Sequence, residues 1–329
     1  MARQCGISVA SVSNALSGTG RVSERTRERI LDVAGRLGYS ASPAARSLRM
    51  QRSWSMGLVI PDIANPMFGQ IARGASEVLE AAGYNLLVAS HDAQPERQAG
   101  QVRNLVRQRA DGVILQPFSS RDEEVPMLVR AGIPLVLLTR RHVEQPTDHV
   151  TIDLCRPLIE GLEHLAALGH RRIVLTLLGG RPSTAADERL AAYRGFMRDR
   201  FGTAENALVV RLARTDVEAG RAAAPAIVAV GATAVVAAND ILALGIRDGL
   251  RALSLSVPQD LSMLALEDTF LSDLPGIELT SPSLPKQRIG AESARLLLAR
   301  IEDPDRAFET VVLASPLVVR ASTAPPRAA

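Results

Sequence analysis

Residues 1–23, MARQCGISVASVSNALSGTGRVS, hold the pattern that decides the N-terminal architecture. A short helical run, a turn at Gly6 and a second helical run form the arrangement that places a recognition helix in a DNA major groove. The first run has almost no residues. The stretch 23–40, SERTRERILDVAGRLGYS, then reads as a third helix: Ser23 suits the N-cap, Ile30, Val33, Ala34 and Leu37 recur at helical spacing, and Gly38 suits the residue just past the end. In 42–53, SPAARSLRMQRS, Ser42 can cap and Pro43 fits the first helical position, so Ala44–Leu48 would form one or two turns, marginal alone.

Charge separates this head from the body of the chain. Residues 1–52 carry nine arginines against three acids (Glu24, Glu28, Asp32), a balance of +6, while the remaining residues carry 29 basic and 32 acidic side chains, a balance of −3. A basic head on a mildly acidic body points to a polyanion-binding module joined to something else. The 329 residues, 47% of them hydrophobic, suffice for two or three domains with a large core. No apolar run reaches membrane-spanning length, and the start lacks the tripartite pattern of a secretory signal, so the expectation is a cytoplasmic protein with no membrane partner. Cys5 and Cys155 lie far apart with no metal-ligand spacing and read as free thiols; neither metal nor cofactor is expected.

From Trp54 onward, short β-rich runs alternate with amphipathic helical segments: MGLVI (56–60), NLLVAS (85–90), GVILQ (112–116), PLVLLT (134–139), HVTI (149–152), RRIVLTLL (171–178), LVVRL (208–212), AVVAA (234–238) and LSMLAL (261–266). Apolar strands each followed by a covering helix mean parallel α/β sheets with right-handed crossovers. There are too many units for one small sheet, and a break near 151–156 suggests two lobes. The expected fold is thus a small all-α helix-turn-helix head plus a two-lobed α/β body with parallel sheets. The head spans 1–40 and the hinge helix and linker 41–53. The body spans 54–321, with lobe 1 from 54–152 plus 284–311 and lobe 2 from 153–283 plus 312–321. STAPPRAA (322–329) reads as a disordered tail.

Over essentially its whole length the chain resembles the lactose/galactose-repressor (LacI/GalR) family of bacterial transcription regulators. The resemblance is carried by residues 6–49 and then, in the family's order, by MGLVIPDIANPMF (56–68), ADGVIL (110–115), LGHRRIVLTLLGG (168–180), ERLAAYRGF (188–196), AVVAANDILALGIRDGLR (234–251) and VPQDLSMLALEDT (257–269). It implies a homodimer with a periplasmic-binding-protein-like body, a small-molecule effector in the interlobe cleft and an operator in double-stranded DNA, most simply as a repressor. Family members carry further residues that complete the first helix, and Met1 falls where an apolar residue, often Val, stands. Because a GTG codon encodes Val internally and initiates with Met, an upstream start is expected. The alternative is a ligand sensor whose DNA binding is impaired by a truncated head.

In the head, the resemblance assigns Val9, Ala10, Ser11, Ser13, Asn14 and Arg21 to DNA contact. Val9 and Ala10 suit a thymine methyl, Ser11 and Ser13 can donate to phosphates, and Asn14 has the donor and acceptor to pair bidentately with adenine, where many members carry Arg. Val12, Ala15 and Leu16 face the head's core. Leu48 falls where the family inserts a paired wedge into the minor groove, the alternative being simple packing, with Arg46, Arg49 and Arg52 neutralising phosphates around it.

In the body, Asn65, Met67, Phe68, Thr139, Arg140, Asp153, Arg189, Asn239, Asp240 and Glu267 fall on effector positions. Met67 and Phe68 could equally be core. Asp240 could cap the helix it begins, which leaves Asn239 the better ligand candidate. Thr139 stands where Asp precedes Arg more often, Asp187 where Arg is frequent, and Glu267 where Asp is typical, so an ordinary hexose is not a safe expectation; a modified sugar, sugar acid or nucleoside-like ligand is equally open. Catalysis is not expected: LLGGRPST (177–184) lacks phosphate-loop spacing, and none of the five His sits in a catalytic pattern. An exported binding protein would need a signal rather than a basic head.

Overall fold

Strand β1 (Ser55–Ile60) shows how the body is layered. Its Met56, Leu58 and Ile60 pack into one apolar cluster and Val59 into another on the opposite face, the two-residue alternation of a strand buried on both sides. The computed structural model describes residues 2–17, 22–36, 52–153, 155–179, 184–202 and 208–327. Arg21, Arg46, Leu48, the side chain of Ser13 and most of the expected hinge helix lie outside the described residues.

Lobe 1 is built on β1, β2 (Asn85–Ser90), β3 (Gly112–Leu115), β4 (Leu135–Leu138), β5 (Asp148–Ile152) and a strand from far down the chain, Thr310–Leu313. These form a six-stranded, wholly parallel sheet in which β5 pairs with 310–313, and β1 lies between β3 and β2. One face is covered by α4 (Pro66–Ala81) and a late helix, Lys286–Glu302. The other is covered by α5 (Pro95–Arg107) and α6 (Glu124–Arg130). The pair on the first face touches backbone to backbone: a Cβ on Gly74 would lie 1.9 Å from the Gln287 carbonyl oxygen, and one on Gly290 1.9 Å from that of Ile71. Only glycine permits that approach.

Lobe 2 carries β6 (Ile173–Leu178), β7 (Leu208–Leu212), β8 (Ala234–Val236) and β9 (Ser262–Leu264) in the parallel order β7-β6-β8-β9. Helices α7 (Arg156–Ala167) and α8 (Thr184–Phe201) cover one face, α9 (Val217–Ala229) and α10 (Asp240–Ala252) the other. A two-residue strand β10 (Ser281–Pro282) pairs antiparallel with Leu317–Val318 after the late helix, here α11, and the strand β11 (Thr310–Leu313) have been built into lobe 1. Because β11 reaches Leu313, the chain returns to lobe 2 two residues later than the boundary expected at 311/312.

The expectation of a disordered tail from 322 is corrected through residue 327. Small residues and prolines have little apolar area to bury, yet here polar groups do the work. The Met263 N–H donates to the Ser322 carbonyl at 2.8 Å, and the buried Ser322 hydroxyl donates to Met263 O at 2.6 Å. His170 Nε2 donates to Ala324 O at 2.8 Å, which fixes its proton on that nitrogen and leaves Nδ1 to accept from the Thr233 hydroxyl at 2.9 Å.

The head comprises α1 (Ala2–Cys5), α2 (Val9–Ser17) and α3 (Glu24–Arg36). Gly6 turns between the first two at φ +61°, a left-handed conformation natural to glycine. Ser8 Oγ accepts from Ser11 N at 3.1 Å and Ser23 Oγ from Thr26 N at 3.4 Å, so the first turns of α2 and α3 are both capped. Cys5, Val12, Ala15, Ile30 and Val33 form the core.

Candidate functional site

Asp153 and Leu266, just past the carboxyl ends of β5 in lobe 1 and β9 in lobe 2, line the interlobe crevice, and strand carboxyl ends are the usual ligand position in open α/β sheets. Asn65, after β1, caps α4: its Oδ1 accepts from Met67 N at 2.9 Å. Its amide Nδ2 is thereby aimed away from the helix, and donates to Glu267 Oε1 and Oε2 at 3.1 and 3.0 Å. Asn65 belongs to lobe 1 and Glu267, after β9, to lobe 2, so this contact ties the lobes together. Burial, and then the neighbouring Asp240 carboxylate, push the Glu267 carboxyl up to about 8, against the smaller opposing pull of Asn65, Arg189 and Lys286.

Beyond β4 the backbone is strained. Thr139, at φ +65°, is the centre of a tight turn closed by Arg140 N donating to Leu138 O at 2.6 Å. A β-branched residue in that conformation costs about 1–3 kcal/mol and concentrates at functional sites. The turn delivers Arg140, whose Nη1 donates to the carbonyls of Pro117 and Phe118 at 2.7 and 2.6 Å. Burial, and next the charge of Arg189, lower the Arg140 guanidinium below its ordinary range.

Arg189 comes from α8 in lobe 2. It lines the crevice with Ile152, Asp153, Pro157, Leu266 and Leu284, and its buried Nε makes no hydrogen bond among the described residues. Burial lowers its guanidinium as well, with Glu267 the largest opposing influence. The lobes meet so closely that this crevice encloses about 10 Å³, room for about one water.

The capping role weighed for Asp240 belongs to its neighbour. The N-cap of α10 is Asn239, whose Oδ1 accepts from Leu242 N at 2.7 Å while its Nδ2 donates to Thr215 O at 3.1 Å. Asp240, one residue inside the helix, turns instead to the loop after β9: its Oδ2 accepts from Thr269 N at 2.5 Å and from the Thr269 hydroxyl at 2.7 Å. Asp153 is exposed and its Oδ1 accepts from the N–H groups of Cys155 and Arg156 at 2.9 and 3.0 Å, at the start of α7. Met67 and Phe68 are buried within the lobe 1 core. The structure therefore brings Asn65, Arg140, Arg189, Asp240 and Glu267 into one electrostatic group, and ties Asn239 and Asp153 to helix starts.

On the head, Val9 is 75% exposed and Ala10 is exposed beside it, while Val12 and Ala15 are buried. Ser11 and Asn14 are half-buried. The front of α2 thus exposes the small side chains of Val9 and Ala10, and its back holds the three-helix core.

Comparison with known proteins finds relatives of both the head and the body. Residues 162–323 match the periplasmic binding protein-like domain, and residues 1–42 match the bacterial regulatory proteins of the lacI family. The HTH-type transcriptional regulator MalR of Streptomyces coelicolor is 30% identical over 98% of this chain and 95% of its own. The chain belongs to the LacI family. A LacI-family regulator of Enterococcus faecium, solved with bound ribose, is similar at 25% identity with a TM-score of 0.76, over 83% of this chain and 100% of its own. The lac repressor dimer bound to operator shares the whole fold, with a TM-score of 0.83 at 24% identity over 98% and 97% of the two chains.

Three further buried polar groups of this LacI-family protein were not singled out from the sequence. His91 is buried after β2, edge-on to Phe118 at 6.5 Å, with burial lowering its imidazole below the usual range. Gln116, just past β3, is buried with its Oε1 making no hydrogen bond among the described residues. Lys286 donates from Nζ to Glu267 O at 2.8 Å and also to Asp268 O. For His91 and Gln116 the usable signal was a polar residue immediately after an apolar strand, which marks a strand's carboxyl end; Lys286, the first residue of α11, carried no such signal.

Proposed function

We propose that this LacI-family regulator is a homodimeric cytoplasmic repressor, not an enzyme, that binds a near-palindromic operator under the control of a small sugar-like effector in the interlobe crevice. The observation that carries this is the division of α2: Val12 and Ala15 hold the head together, which leaves Val9 and Ala10 exposed for base edges. Such apolar exposure is costly in water and useful against thymine methyl groups. Ser11, Ser13, Asn14 and Arg21 would supply the polar contacts, and Arg46 and Leu48 the central minor-groove contacts, of two heads reading adjacent half-sites.

Dimerisation is supported by apolar side chains left on the outside of both lobes: Leu87 and Val88 on the edge strand β2, and Phe270 and Leu274 beyond β9. Effector control is supported by the crevice itself. At about 10 Å³ it is closed to anything of sugar size, so effector admission requires the lobes to part. A ligand that binds one lobe arrangement better than another shifts the population, and shifts DNA affinity reciprocally if the hinge moves with the lobes.

Selection of operators from a random double-stranded DNA pool tests this reading. The expected product is a two-fold symmetric site bound by a dimer, with an affinity that falls steeply as salt rises. A pool that shows no enrichment over non-specific DNA overturns it.

A further inference from the structure

We infer that Asp111 is a positioning residue for operator binding: its carboxylate fixes the turn by which the chain passes between head and lobe 1, and so sets where two heads stand on DNA. This rests on the repressor reading and adds to it a residue that belongs neither to the exposed face of α2 nor to the crevice lining.

The turn lies at Ser53 and Trp54, where the covalent path from the head enters β1. Trp54 sits at φ +55°, left-handed backbone that a bulky side chain rarely adopts. A residue in that conformation aims successive N–H groups into one concavity, which suits an anion. Asp111, the residue before β3, supplies it: its Oδ1 accepts from Ser53 N and its Oδ2 from Trp54 N, both at 2.8 Å. Two charge-assisted hydrogen bonds thus offset the strain of the turn. The same point is built into the sheet. Asp111 N donates to Ser55 O and Asn85 N to Trp54 O, each at 2.9 Å, so the starts of β1, β2 and β3 meet here. The Trp54 ring packs on the buried Tyr84, with centroids 5.2 Å apart. Arg52, expected to neutralise a phosphate, lies with its guanidinium 5.9 Å from the Trp54 ring centroid and donates from Nη1 to the Tyr84 hydroxyl at 3.4 Å. Without the Asp111 carboxylate, nothing offsets the strain at Trp54; its backbone relaxes, and the direction of every residue before it changes. Operator binding requires two heads at one separation, which a fixed exit pre-organises, whereas non-specific binding draws on charge and does not need it.

The test uses the full-length protein with three kinds of labelled duplex: the operator selected from the random pool, the same operator with one or two base pairs inserted at its centre, and a scrambled sequence. Fluorescence anisotropy at one salt concentration gives the affinities. Asp111→Ala should weaken the operator about tenfold or more, flatten the preference for its native spacing, and leave the scrambled duplex within about twofold. Asp111→Asn keeps one acceptor oxygen and should fall between, and it carries the comparison if Asp111→Ala does not melt cooperatively. Trp54 is the only tryptophan in the chain, so acrylamide quenching of its emission reports the turn itself, and the expected result is stronger quenching in the Asp111 variants. Equal weakening on all three kinds of duplex overturns positioning in favour of general damage, and unchanged quenching overturns the clasp. An operator bound alike, at every spacing, by the wild type and both variants overturns this inference alone. A pool that yields no operator overturns the repressor reading and this inference with it.

Discussion

The Asn65 amide nitrogen lies 3.1 and 3.0 Å from the two carboxyl oxygens of Glu267, joining the start of α4 in lobe 1 to the loop after β9 in lobe 2. The pH dependence of this contact has a definite sign. The Glu267 carboxyl titrates at about 8 in the folded protein and at the ordinary value of 4.5 when unfolded, so folding favours its protonated form. The associated stability is complete below about pH 4.5 and is lost as pH rises towards 8. Thermal melting from pH 5 to 9 should therefore show a decline in the wild type that Glu267→Gln flattens; parallel curves would count against it.

His149 acts in the opposite direction. It is buried on β5, its Nδ1 accepts from Arg141 Nε at 3.2 Å, and burial, followed by the Arg141 charge, lowers it from 6.5 to about 4. Folding favours its neutral form, so stability is full above pH 6.5 and falls as pH drops towards 4, by up to about 3 kcal/mol. His149→Gln should remove that acid-side loss in urea denaturation at pH 4.5 and 7, whatever its overall effect.

The head divides specificity from affinity. Asn14→Ala should relax adenine preference at one operator position, at a cost of about 1–3 kcal/mol on the preferred sequence. Leu48→Ala should weaken every operator by a similar factor through the lost bend. Fluorescence anisotropy on a panel of single-base operator variants separates the two, and equal effects across the panel from both substitutions would refute the division.

Two glycine substitutions should have opposite signs. At Gly290 a new Cβ meets Ile71 O at 1.9 Å, so Gly290→Ala must push α4 and α11 apart and should cost about 1–3 kcal/mol or more. At Gly100, inside α5, the added methyl has nothing within 4 Å, and Gly100→Ala should stabilise by about 0.4–1 kcal/mol. Chemical denaturation of both variants checks the pair.

The range of each interaction decides how legible it was in the sequence. Apolar strands and amphipathic helices are local patterns, so the alternating body, the three-helix head and the Ser23 cap could be read directly. Asn65 and Glu267 are 202 positions apart, and only the folded topology reveals that they meet. That Asn239 and not Asp240 caps α10 was hidden because both residue types cap helices well; Asp240 is instead engaged by Thr269, supplied by a distant loop. The ordered segment 322–327 was missed because its attachment uses the backbone and small hydroxyls, which leave no apolar pattern. The head and hinge residues Arg21, Arg46 and Leu48 remain assigned by family resemblance alone.

The way the chain threads both lobes sets a timetable for its synthesis. Lobe 1 has its sheet edge and one covering layer in α11 and β11, and lobe 2 receives Ser322 and Ala324 against β9 and His170. Lobe 1 is incomplete until residues 286–313 have been made, and lobe 2 until Ser322 and Ala324 follow. The usual order, with the N-terminal unit maturing while the rest is made, is closed to the body. Its two lobes mature together and late, and until then the nascent chain carries a lobe 1 sheet without its edge strand.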